Sequence, residues 1–368
     1  GGSFCPKHQE PLKLFCKDHE TLICLVCDRS KEHEGHRVIP AEEAFQEYQI
    51  KVEDCLKAQK EQKEKIAAYE RDTEQTVQEM LDHIEKVKKK VVAEFRELQL
   101  WLEGQEKLLL NEMEETEKDI MARKEKALAK HMEEVRSLDH LIQEIEEKHQ
   151  QPASKLLQDI GSILKKFQAK ETYENPVDLL LKPKWTIWDC SDIIPLLKNS
   201  MKKLRDTLES GLQLQEVNVT LDPVTADPDS LKISKDRKSI TRLKRFVYNP
   251  TVLSCQMFSS GRHFWDVIVD STGGWDVGVT SKPVNSNDDY GETRQWQISR
   301  WDRRYTAISP SERSEWVLTE MPTRIRISLN CEGGQVSFFD ARTAALLHTF
   351  SDASLVGETL RPYFYLDQ

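Results

Sequence analysis

The chain has 368 residues, a formal net charge of −10 and 32% charged side chains. That length allows two or three folded units. The acidic balance argues against a general nucleic-acid binder, and no apolar run approaches the ~20 residues of a membrane span.

Gly1-Gly2-Ser3 reads as a cloning remnant. Residues 4–40 then carry Cys5, His8, Cys16, His19, Cys24, Cys27, His33 and His36. Four of the eight Cys and four of the ten His fall in these first 36 residues, while Cys55, Cys190, Cys255 and Cys331 are scattered singly. This is metal usage in a reducing compartment, cytoplasmic or nuclear, and not a disulfide framework. Eight ligands in pairs suit two structural Zn²⁺ sites per chain, with no position left open to water. A segment this short cannot bury a sufficient core, so zinc must supply much of its folding energy. Spacing leaves the pairing open. It is either sequential, with Cys5, His8, Cys16 and His19 on one ion, or interleaved, with Cys5, His8, Cys24 and Cys27 on one. Leu25 sits between two ligands, either packed on the following helix or exposed as a self-association contact.

From Ala41 to Gln151 there is no proline and a single glycine, Gly104, in 111 residues. Apolar residues return every three or four positions, which predicts one helix of roughly 165 Å. Val77, Ile84, Val91 and Leu98 step by sevens, Leu98, Leu109 and Ile120 by elevens, and Leu128, Val135 and Ile142 by sevens again. Sevens drive a left-handed supercoil and elevens relax it. The order reads alike from both ends about positions 109 and 110. The expectation is an antiparallel homodimer crossing near Leu109 and Leu110, with Leu98, Leu102 and Ile120 in its central contact.

Pro152 ends this run. Ala153 to Lys170 resumes a helical pattern, Asn175, Pro176 and Pro183 break it, and Trp185, Ile187 and Trp188 read as an extended apolar linker. Ser191 to Leu212 is helical again, with Pro195 in its first turn. Residues 152–215 are expected to fold back along the long helix. Lys202, Lys203 and Arg205 read as a solvated face.

In residues 216–368 the period changes to two, most cleanly in Arg324-Ile325-Arg326-Ile327-Ser328-Leu329. Gly273-Gly274 and Gly333-Gly334 read as hairpin turns, giving a two-sheet antiparallel sandwich. Catalytic motifs are absent, and His263 and His348 read as structural. Aromatic and cationic residues cluster instead: Tyr290, Arg300, Trp301, Arg303, Arg304 and Tyr305 are candidates for a protein-binding site. Trp296 reads as core.

The order of units resembles the tripartite-motif (RING–B-box–coiled-coil) family without its N-terminal RING. The first module is similar to a type-2 B-box, whose sites interleave. That resemblance selects Cys5, His8, Cys24 and Cys27 for one zinc and Cys16, His19, His33 and His36 for the other. Family members commonly carry Asp where His19 stands, and Asp18 lies beside it. The C-terminal segment resembles a PRY-SPRY (B30.2) domain through Leu221-Asp222-Pro223, Trp265-Asp266-Val267, Trp275-Asp276-Val277-Gly278 and the looser Leu329-Asn330-Cys331-Glu332. It implies that Asp276 can present an acid to a ligand. The expected fold class is therefore multi-domain: a small zinc-binding B-box, a long antiparallel α-helical coiled coil and an all-β PRY-SPRY sandwich. The resemblance implies an E3 ubiquitin ligase parent, with SPRY capturing the target and a RING engaging the charged E2. The alternatives are a non-catalytic scaffold or receptor, and an RNA-binding module acting through Arg300, Arg303 and Arg304.

Overall fold

The computed structural model describes residues 3–170, 172–175, 178–243, 250–270, 272–281 and 293–367. The chain divides into two units, Gly1–Met121 and Ala122–Gln368.

The first unit begins with strands β1 (Leu14–Cys16) and β2 (Thr21–Ile23), helix α1 (Leu25–Asp28) and strand β3 (Val38–Pro40), in the sheet order β2-β1-β3. Its buried apolar cluster is Ile23 and four cysteines, with Leu12, Leu14 and Val38 packed around them. So small a core cannot offset the chain entropy of ordering the module. Helix α2 (Ala41–His149) starts directly from β3, with the Ala41 amide donating to the Lys13 carbonyl at 2.8 Å. Phe15 meets Tyr48 edge-on, ring centroids 5.0 Å apart, and Lys17 Nζ lies 2.6 Å from Glu47. These contacts seat the module on the first two turns of α2. Glu42 and Glu43 in the first turn and Lys148 and His149 in the last both favour the helix macrodipole.

In the second unit α2 ends, and α3 (Ala153–Leu157) and α4 (Ile160–Gln168) run back along it. Lys166 pairs with Glu144 at 2.9 Å and Lys170 with Glu134 at 3.4 Å, and His131 lies 3.3 Å from Asn175. Helix α5 (Asp178–Gly211) follows, and it corrects the sequence reading: Trp185, Ile187 and Trp188 are helical, with Pro183 and Pro195 inside one continuous helix. Proline removes one amide donor and frees the carbonyl four residues earlier. For Pro183 that carbonyl belongs to Leu179, and it accepts from Arg123 Nη1 of α2 at 3.1 Å.

The sandwich is built from β4 (Leu214–Glu216), β5 (Leu231–Ile233), β6 (Ile240–Arg242), β7 (Thr251–Leu253), β8 (Arg262–Ile268), β9 (Trp275–Ser281), β10 (Arg294–Trp301), β11 (Arg304–Ile308), β12 (Arg313–Val317), β13 (Arg324–Asn330), β14 (Gln335–Asp340), β15 (Leu346–Ser351) and β16 (Leu360–Leu366). One sheet has the order β12-β11-β10-β9-β16-β7 and the other β15-β14-β13-β8-β4, with β5-β6 as a separate ribbon. All pairs are antiparallel except β4, which runs parallel to β8. Gly333-Gly334 lies in the β13–β14 hairpin as expected. Gly273-Gly274 does not make a hairpin, because β8 and β9 belong to different sheets and the segment crosses between them. Trp265, Trp296, Ile298, Ile325, Ile327, Leu329, Phe338 and Phe350 fill the space between the sheets. Asp222 caps the turn at Pro223–Thr225 and takes Arg361 Nη2 at 3.3 Å, tying the start of the domain to β16. A Cβ at Gly278 would strike the Trp296 carbonyl of the neighbouring strand, so that position admits only glycine.

Candidate zinc centres and binding face

The structure gathers the eight ligand-type side chains into two interleaved clusters, Cys5, His8, Cys24 and Cys27, and Cys16, His19, His33 and His36. In the first, His8 Nδ1 lies 3.5 Å from Cys5 Sγ, 3.5 Å from Cys24 Sγ and 3.3 Å from Cys27 Sγ, with Cys5 and Cys27 sulfurs 3.6 Å apart. Zn–S bonds of about 2.3 Å and Zn–N bonds of about 2.0–2.1 Å at tetrahedral angles give edges of about 3.8 Å and about 3.6 Å. The cluster therefore has the size of a zinc coordination sphere. Cys24 and Cys27 bracket the start of α1, where the Cys27 amide donates to Cys24 Sγ at 3.4 Å and fixes the sulfur's direction.

In the second cluster Cys16 Sγ lies 3.5 Å from His36 Nδ1, and the His19 ring stands 4.5 Å from His36 and 5.0 Å from His33. His33 Nδ1 is buried with no protein partner, as suits a nitrogen bonded to a metal. Asp18 takes another task, accepting from the Arg37 amide at 2.6 Å. Burial pushes the Cys5 thiol up, but the Lys7 and His8 backbone amides and the His8 ring outweigh it and bring it down to about 6. Burial and the two neighbouring sulfurs push Cys27 up to about 11. Closely packed sulfurs share protons in this way, and a zinc ion replaces those protons when bound. Two Zn²⁺ ions fit these residues, and their chemistry is structural.

Leu25 is 61% exposed on α1, turned away from the zinc cluster. On α2, Leu98, Leu102, Leu109 and Ile120 are half-buried and Leu110 is exposed.

The protein-binding candidates of the sandwich separate by face. Trp301 is the last residue of β10 and is 51% exposed, its ring lying over Gly274. Arg303 and Arg304 are exposed beside it. Two expected contacts are corrected. Arg300 is only 4% exposed, donating through Nε to the Asp302 carbonyl at 3.0 Å and through Nη1 to that of Asp270 at 2.8 Å. Tyr305 is fully buried against Trp275 and Trp316. Both point inward, because strand alternation puts them opposite Trp301 and Arg304. Both lie beneath the face and leave almost no surface on it. Tyr290 lies outside the described residues. Asp276 shares the outer face, where burial above all, and then the charge of Asp367, pushes its carboxyl up to about 6 against the pull of Ser299 and Gln297. Trp296 is fully buried, its Nε1 donating to Asp352 at 3.1 Å. Val317, 67% exposed at the end of β12, was missed by sequence reasoning. The alternation through Trp316 pointed outward there, but only the strand register brings it beside Arg304.

Residues 2–41 match the B-box zinc finger family and residues 262–368 the SPRY domain family. The human zinc finger protein RFP is 33% identical over 98% of this chain and 74% of its own length. Human E3 ubiquitin-protein ligase TRIM38 is 30% identical over 99% and 78%, and mouse tripartite motif-containing protein 6 is 31% identical over 98% and 77%. With likeness of that degree along nearly all of its length, this chain belongs to the tripartite-motif family and serves in protein interactions of that family's kind.

Proposed function

We propose that the chain is the target-capture and dimerisation part of a tripartite-motif E3 ubiquitin ligase, with a RING outside this sequence engaging the ubiquitin-charged E2. The observation that carries this reading is Trp301, a half-exposed indole fixed on a sheet with exposed arginines beside it. Trp and Arg are the side chains that most often anchor protein interfaces, and losing such an anchor costs about 2 kcal/mol or more, roughly thirtyfold in affinity. Quantitative affinity purification from cells with the full chain and its Trp301→Ala variant tests it. A specific protein set present with wild type and lost with the folded variant supports capture through this face. An unchanged set places the site elsewhere.

A second copy supplies the cover for α2. Val77, Ile84, Val91, Leu128, Val135 and Ile142 are 48–56% exposed, and 77 with 142, 84 with 135 and 91 with 128 stand symmetrically about positions 109 and 110. An antiparallel pair superimposes these positions. Spin labels at 77 on one protomer and 142 on its partner are expected to be close, and labels at 77 on both to be about 100 Å apart. Close 77–77 distances mean a parallel pair.

A further inference from the structure

The strand register sets three exposed side chains in one row on the outer face of the six-stranded sheet. Trp301 pairs with Arg304, and Arg304 with Val317. Cross-strand partners share a face, and the inward set of the same strands (Arg300, Tyr305 and Trp316) turns to the core. The row therefore reads aromatic, guanidinium, aliphatic. Trp301 is 51% exposed, Val317 is 67% exposed, and Arg304 lies open between them. Strands spaced ~4.8 Å apart make the row about 10 Å long.

Arg304 has no ion pair among the described residues. The acid nearest in register, Glu315, is held by Arg313 at 3.4 Å. Arg300 is committed to two backbone carbonyls. The Arg304 guanidinium therefore stands open to an anion between two exposed apolar side chains.

We propose that this row recognises a helical segment of a partner protein carrying an Asp or Glu, with an apolar residue one turn before it and one turn after it. The inference rests on the target-capture reading above and names the target's chemistry. Helical neighbours three or four positions apart stand about 5–6 Å from each other, and i to i+7 spans about 10.5 Å. That matches the row's spacing and its length. An extended segment spaces same-face side chains about 6.7 Å apart, so three of them span about 13 Å and overshoot. A carboxylate fits the guanidinium fork in two parallel hydrogen bonds. The flanking indole and isopropyl groups keep water from that pair, the arrangement that makes a central contact count.

The test is a phage-displayed library of helical 16-residue peptides randomised at positions i, i+3, i+4 and i+7, selected against the full chain. Wild type is expected to enrich Asp or Glu in the middle with apolar residues at both ends. Arg304→Glu is expected to weaken the selected peptide about tenfold or more and, when used for selection itself, to enrich Lys or Arg instead. Trp301→Ala is expected to lose the peptide as well. All three side chains are exposed, and matching thermal unfolding of the variants shows that folding is retained. Binders that depend on Trp301 but show no acidic preference overturn this inference and leave the capture reading standing. Binders indifferent to both substitutions overturn both. No enrichment overturns the inference. Replacing the selected acid with phosphoserine is expected to bring no gain, and a tenfold gain would overturn the commitment to a carboxylate.

Discussion

Trp296 and Trp301 stand five positions apart on one strand and face opposite sides of the sheet. Trp296 is fully buried and Trp301 is 51% exposed. An odd separation does this in any strand of period two, so two residues of one type receive opposite tasks. Trp296→Ala should cost about 3–5 kcal/mol, as a large aromatic removed from a packed core does. Trp301→Ala should stay within about 1 kcal/mol. Thermal unfolding of the sandwich measures both, and equal losses would show Trp301 to be core.

How much of this could be read from the sequence follows the range of the forces involved. The zinc ligands, the long helix and the alternation in Arg324–Leu329 are local patterns, and they were legible. The α5 helix was not, because Pro183 reads locally as a breaker. Arg123, which lies 56 positions before Leu179 in sequence, takes up the carbonyl that the proline frees, and no local pattern could show that. The faces of Arg300 and Tyr305 were hidden for a similar reason. Composition marked a cluster of aromatic and cationic residues, but only the pairing of β9, β10 and β11 shows which of them turn inward.

Elemental analysis should find two zinc ions per chain. A chelator at neutral pH should unfold residues 4–40 and leave the sandwich transition in place. Cysteine and histidine bind metal deprotonated, so acidification below about pH 5–6 should release zinc. His19→Ala should lose one of the two ions. Asp18→Ala should keep both and change stability little, because it removes one exposed contact to the Arg37 amide. A metal count that falls with Asp18→Ala but not with His19→Ala would reverse the ligand assignment.

Asp276 should make the sandwich pH-dependent in a defined direction. Its carboxyl is pushed up to about 6 in the folded chain, chiefly by burial, so the folded state holds the proton more tightly than the unfolded one. Stability attributable to this group is full below about pH 4, falls as pH rises to about 6, and is level above that. Asp276→Asn should therefore stabilise the domain at pH 7, by at most about 3 kcal/mol, and bring no gain at pH 3.5. Unfolding midpoints of the two proteins across that range test this, and a gain independent of pH would contradict it.

Leu25 leaves most of its side chain in solvent between two zinc ligands, and Val26 beside it is also exposed. Leu25→Glu should leave zinc content and the proposed dimer unchanged and remove larger species seen by light scattering at high concentration. A wild type that never exceeds a dimer would contradict a role in assembly.

The claim that the SPRY domain captures its target on the outer sheet face is tested most directly by site-specific photo-cross-linking in cells. A photoreactive amino acid is placed at Arg303, which is exposed beside Trp301, at Val317, or at Leu346, which is 59% exposed on β15 of the other sheet. Discrete cross-linked target bands from positions 303 and 317, and none from 346, are the predicted result. Bands from 346 with none from 303 or 317 would contradict it.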